Sequence, residues 1–117
     1  MPFDQQDYQP APVITDPVAR VLWDAARYIR EHGWCQNALD TADGRVCLQG
    51  AIMAVDKSPR HEGFLPANNA VCLYLRTSLT WEWNDDPART SSEVISALEG
   101  CARELQGRAR SQRQEDE

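Results

Sequence analysis

The sequence predicts an all-α or nearly all-α single domain of four helices, and three observations carry that prediction. Val94, Ile95, Leu98, Cys101, Ala102 and Leu105 repeat at helical spacing and make one apolar stripe. Thr90 and Glu93 stand three apart just ahead of that stripe, the spacing of a capping box that starts a helix. Near the other end, Asp16-Pro17 reads as an N-cap with proline at the first helical position, and Gly33 reads as a stop. A chain of 117 residues fits one domain. It can bury roughly two thirds of its unfolded surface, enough for a core without covalent staples.

The elements follow in order. Residues 1–15 hold three prolines, three glutamines and little apolar content, so they read as a flexible leader. Phe3, Tyr8, Val13 and Ile14 are the residues that could tack it to the domain. The helical domain spans residues 16–106. In its first helix Val18, Val21, Leu22, Ala25 and Ile29 share one face, and His32 in the last turn suits the helix dipole. Residues 34–46 contain Asp43-Gly44, a tight-turn signal, and read as a short β-hairpin or an ordered loop. Val46 to Val55 is nearly all apolar or small, and its length favours a buried helix. Glycine inside a helix costs about 1 kcal/mol against alanine, so Gly50 implies a close packing contact. Ser58 to Pro66 is a loop, and Ala67 to Leu79 is the third helix with Val71, Tyr74, Leu75 and Leu79 on one face. Thr80 to Arg89 is a tryptophan-bearing loop with an Asn-Asp-Asp-Pro turn. The last helix runs from Ser91 to about Gln106. Residues 107–117 form a disordered polar tail, basic and then acidic. Four amphipathic helices around one core is the simplest architecture that buries every stripe.

Charge and cysteine use narrow the function classes. A net charge of −6 argues against a general grip on nucleic acid or anionic lipid. Arg103, Arg108, Arg110 and Arg113 form a basic patch, but Glu104 and the acidic end beside them favour a solvated face. No apolar run approaches the roughly 20 residues that span a bilayer. Met1 to Asp16 holds neither a basic n-region nor an apolar h-region. A cytoplasmic setting with Cys35, Cys47, Cys72 and Cys101 reduced is therefore expected.

Several residues carry candidate chemistry. Cys47, if it opens the second helix, would have its pKa lowered by the dipole. His32 or His61 could then act as base and Asn84 or Asp85 as orienter. Against this, a free cysteine is most often a small buried hydrophobe, and no catalytic-cysteine signature surrounds Cys47. His32 and Cys35 make an H-x2-C pair that Cys47 and His61 do not answer, so no metal site and no cofactor are expected. Asp85 and Asp86 could be paired carboxylates, but before Pro87 they read first as a turn. Trp34, Trp81 and Trp83 are either an aromatic binding surface or plugs of a small core. If Trp81-Glu82-Trp83 is extended, both rings point to one side.

Three segments together resemble a family of small uncharacterised proteins from actinobacteria and their phages. They are Gly33-Trp34, Cys47-Leu48-Gln49-Gly50-Ala51-Ile52, and Trp83-Asn84-Asp85 leading to Arg89-Thr90 and Glu93-Val94. The likeness covers roughly residues 17–105. Relatives carry glycine and small residues after the Gly-Trp, where this chain has Cys35, Gln36 and Asn37, so any role for Cys35 belongs to this chain alone. The resemblance implies a shared fold and lineage and no activity. The leading expectation is a small interaction or regulatory module that binds a host protein through Trp34, Trp81, Trp83, Asn84, Asp85 and Arg89. The alternative is a thiol-dependent enzyme or redox sensor using Cys47. A homodimer through the long stripe of the last helix is a further expectation.

Overall fold

The computed structural model describes residues 12–116, with side chains through Gln112. The leader positions Phe3 and Tyr8 lie outside the described residues. Five α-helices make up the described part: α1 Pro17–His32, α2 Leu48–Val55, α3 Phe64–Leu75, α4 Thr80–Asn84 and α5 Ser91–Asp116. A single 3-10 turn at Pro59–His61 joins α2 to α3. The described residues hold no sheet, so the fold is nearly all-α.

The two longest helices start where local chemistry says they must. The Asp16 carboxylate accepts from the Ala19 N–H at 2.9 Å, and the Gly33 N–H closes α1 on the Ile29 carbonyl. At α5 the box is reciprocal: the Glu93 N–H donates to the Thr90 hydroxyl at 3.2 Å, and the Thr90 N–H to the Glu93 carboxylate at 3.0 Å. Helix α1 lies across α2 and α5. Leu22 and Ile29 bury fully against Leu48 and Ile52 of α2 and Val94 and Leu98 of α5. Ala25, Ala26 and Ala102 are solvent-free and let the backbones approach.

The stripe of α5 is thus packed inside the chain, against α1 and the rest of the core. Helix α5 continues past Gln106 to Asp116, and Gln106 itself is a buried anchor. Its side-chain oxygen accepts from the Thr15 and Asp16 N–H groups at 2.8 Å each, pinning the entry of α1 to α5. Ile14, next to that clamp, is buried, whereas Val13 is exposed.

Beyond the 107–117 tail, which is helical to Asp116, three further sequence expectations change. Helix α3 starts earlier and ends at Leu75, because Arg76 turns left-handed and its N–H bonds back to the Cys72 carbonyl. The hairpin reduces to one antiparallel bridge, Asp40 to Val46, closed by Thr41 and Arg45, with Trp34 bridging Val46 in parallel. Most consequential, the tryptophan loop begins as a helical turn: the Asp85 N–H bonds the Trp81 carbonyl at 3.0 Å. Two helical residues are about 200° apart around the axis. Trp81 and Trp83 therefore point to opposite sides, where an extended strand would have aligned them.

Candidate functional site

The three motif segments converge on Asn84, whose side chain is fully buried. Its Oδ1 accepts from the Trp34 Nε1–H at 2.7 Å and from the Leu48 backbone N–H at 3.1 Å. Its Nδ2 donates to the Cys35 carbonyl at 3.2 Å and to Asp85 Oδ1 at 3.0 Å. Both groups facing Oδ1 can only donate, which fixes the orientation of the amide. One side chain thus ties the 34–37 loop, the start of α2 and the end of α4. Gln36 reinforces the seam by donating to the Asn84 and Asp86 carbonyls, and the Asn37 N–H donates to Asp85 Oδ1 at 2.8 Å.

The Cys-x-x-Gly segment gains a physical reading. Cys47 is the N-cap of α2, and its Sγ accepts from the Gly50 N–H at 3.3 Å, the role a serine usually fills. Gly50 faces the Leu39 carbonyl so closely that a Cβ there would lie 2.1 Å from the oxygen. That carbonyl in turn accepts from the Cys47 N–H at 3.0 Å. The 37–39 loop is therefore seated on the first turn of α2. On the far side, the Gln49 amide donates to the Thr80 hydroxyl, which donates to Asn68, linking α2, α4 and α3.

Arg89 completes the frame. Its guanidinium stacks 3.7 Å above the Trp83 ring centre, Nε donates to the Trp83 carbonyl, and Nη1 reaches Glu93 at 3.2 Å. Arg89 and Trp83 thus lock the end of α4 onto the start of α5, and they are not free surface groups. Of the six residues expected to meet a partner, Asn84 is wholly internal. Trp34, Trp83, Asp85 and Arg89 are half-buried and engaged. Trp81 alone stands out, 48 % exposed.

Beside Trp81 lies an open groove of about 480 Å³, walled by Trp81, Asp85, Leu39 and Asn37 and backed by Cys47 and Gln49. Leu39, itself 49 % exposed, also borders a neighbouring groove that reaches Met53. No sequence signal marks Leu39 or Gln49 as groove residues. Leu39 is positioned by its backbone contact with Gly50, and Gln49 by a hydroxyl on another helix.

The thiol expectation changes sign. Cys47 does sit at a helix start, but burial raises its pKa, outweighing the amide hydrogen bonds that lower it. Cys35 is raised too, mainly by burial, and Cys101 is pushed up to about 12 by burial. His32 packs its ring on Tyr28, and His61 lies 3.9 Å from Asp56. Among the described residues no hydrogen bond joins either histidine to Cys47, and no group of three His, Cys, Asp or Glu could hold a metal. Half-buried Cys72 is therefore expected to react with iodoacetamide near pH 7 at least about tenfold faster than the other three thiols. Time-resolved peptide mass spectrometry of the native protein checks this, and rapid labelling of Cys47 would contradict it.

The basic patch is largely occupied. Arg103 lies over the Trp23 ring at 5.1 Å, Arg108 pairs with Glu104, and Arg110 reaches the Val13 carbonyl. The Arg113 side chain lies outside the described ones. No helix among the described residues is long and apolar enough to cross a membrane. No curated protein and no solved structure matches the chain. Residues 13–104, a span that takes in Asn84, the groove and all three motif segments, match a family model. The chain belongs to that family, DUF6197, a family of unknown function.

Proposed function

We propose that the protein is a small cytoplasmic interaction or regulatory module that seats a segment of a partner protein in the Trp81 groove. The observation that carries this reading is the contrast among the three candidate tryptophans. Trp34 is held by Asn84 and Trp83 is covered by Arg89, while Trp81 presents nearly half its surface beside an apolar neighbour, Leu39. Exposed tryptophans on a rigid frame are the usual anchors of protein interfaces. The hydrogen bonds beneath the groove hold its walls before any partner arrives, which lowers the ordering cost of association.

The partner's chemistry follows from the rim. Asp85 and Asp40 border the grooves on a chain of net charge −6. An apolar side chain flanked by a lysine or arginine fits both features. The resemblance of the motif segments supports an actinobacterial or phage lineage for the module, and the partner proposed is a host protein. A thiol enzyme is the weaker reading, because burial disfavours the Cys47 thiolate such chemistry requires.

The test is capture from a native-type lysate, identification and purification of the captured protein, and titration calorimetry. Trp81→Ala should weaken binding at least about tenfold, as loss of a hot-spot aromatic does. The same change should leave stability within about 1 kcal/mol, because the ring lies off the core. Equal affinity of wild type and variant for the purified partner would remove Trp81 from the interface and the proposal with it.

A further inference from the structure

We propose that the protein forms an antiparallel homodimer through the outer face of α3. The inference stands apart from the Trp81 groove and rests on a symmetry in the residues α3 shows to solvent. Helix α3 runs Phe64–Leu75 without one charged residue, in a chain of net charge −6. Its inner face is Ala67 and Val71, both solvent-free. Opposite them stand Leu65, 64 % exposed, and Leu73, 81 % exposed. A helix that is apolar on both faces is usually buried on both.

The exposed stripe, with its flanking residues, reads Glu62, Leu65, Asn69, Leu73, Arg76, and all five are exposed. At 100° per residue Leu65, Asn69 and Leu73 fall within about 80° of one another around the helix, while Glu62 precedes it and Arg76 is its left-handed cap. The order is palindromic in chemical type about Asn69: leucine four residues to either side, then an acid seven before and a base seven after. A two-fold axis at Asn69 would lay Leu65 on Leu73 of the second copy. It would face the two Asn69 amides, each able to donate to and accept from the other. It would also set Glu62 beside Arg76 of the second copy at each end. An isologous interface needs this self-complementarity, and an unrelated partner does not. Charge bears on which face a second copy could use. Two copies repel overall, so they can meet closely only on a face without net charge that has opposite signs at its ends.

Sedimentation velocity of the full chain over about 5–200 μM tests the proposal. Wild type should show a concentration-dependent dimer. Leu73→Glu should raise the dissociation constant at least about a hundredfold, since it buries a charge against Leu65 of the second copy. Because Leu73 is so exposed in the single chain, the variant should keep the wild-type circular dichroism and Tm at low concentration. Glu62→Arg and Arg76→Glu should each weaken the dimer several-fold at low salt, and the double swap should restore it. Asn69→Cys should give a disulfide-linked dimer under mild oxidation where wild type does not. A monomer at every concentration, or a dimer indifferent to Leu73→Glu, overturns the proposal. A double swap no better than the single changes overturns the antiparallel pairing.

Discussion

Gly50→Ala is expected to destabilise the protein by about 2–4 kcal/mol, although alanine is the better helix former. Intrinsic propensity alone would make the change favourable by up to about 1 kcal/mol at this position inside α2. The opposing effect is steric. The new methyl would lie 2.1 Å from the Leu39 carbonyl oxygen and 3.1 Å from its carbon. Both atoms belong to backbone, so no rotamer change relieves the overlap. The 37–39 loop must lift from α2, and overpacking of this kind costs about 1–3 kcal/mol. Lifting it also breaks the bond from the Cys47 N–H to Leu39, and an orphaned buried donor costs about 1–3 kcal/mol more. The sum exceeds the propensity gain by a factor of several. Chemical denaturation should show the midpoint falling without a large change in slope, and Tm should drop by roughly 10 °C. An alanine variant as stable as wild type would mean that the loop is not seated on α2. The Trp81 groove would then lack one wall. Gly44, by contrast, has open space around its Cβ position, and its constraint is its positive φ of 95°.

What could be read from the sequence divides along the range of the interaction that fixes each element. The ends of α1 and the start of α5 are set by groups within four residues, Asp16 on Ala19 and Thr90 with Glu93, and these are legible in a single chain. The helical turn α4 was not, because its Asn-Asp-Asp-Pro exit reads as a turn and no side chain caps its start at Leu79. Its stability comes from Thr80 bonding to Asn68 and Gln49, and from Asn84 bonding to Trp34 and Leu48. Those partners are distant in sequence, so no local pattern announces them. The same blindness reversed the reading of Cys47. The expectation that Cys47 stands at a helix start was sound, but depth of burial is a property of the whole fold, and it outweighs the amides. Asn84 and Arg89 belonged to a conspicuous motif, and conspicuousness did not separate framework from surface. Among those residues only Trp81 keeps a largely free face.

Asn84 gives the sharpest test of that division, because its two obvious replacements should fail for different reasons. Asn84→Ala removes a side chain with four polar contacts and leaves the Leu48 N–H, the Trp34 Nε1–H and the Cys35 carbonyl without their partner. Each orphaned buried group costs about 1–3 kcal/mol, so a loss of about 3–5 kcal/mol is expected even if water partly fills the space. Asn84→Asp keeps the shape and the acceptor on the Trp34 side. Ionised, it cannot donate, so a carboxylate oxygen would face the Cys35 carbonyl and the Asp85 carboxylate where Nδ2 stood. Like charges at that distance and burial both raise the pKa of the new acid, favouring its protonated form in the folded state. A group whose folded pKa is raised loses stability as pH climbs above its unfolded value, near 4 for aspartate. Asn84→Asp should therefore be least damaging below about pH 4 and progressively worse toward neutrality. Asn84→Ala should show no such added slope. Denaturation of the two variants and wild type between pH 4 and 8 separates the cases. Parallel curves for Asn84→Asp and wild type would show that the Asn84 site is wet and loosely held. A Trp81 groove built on such a site would be shaped by its partner and not before it.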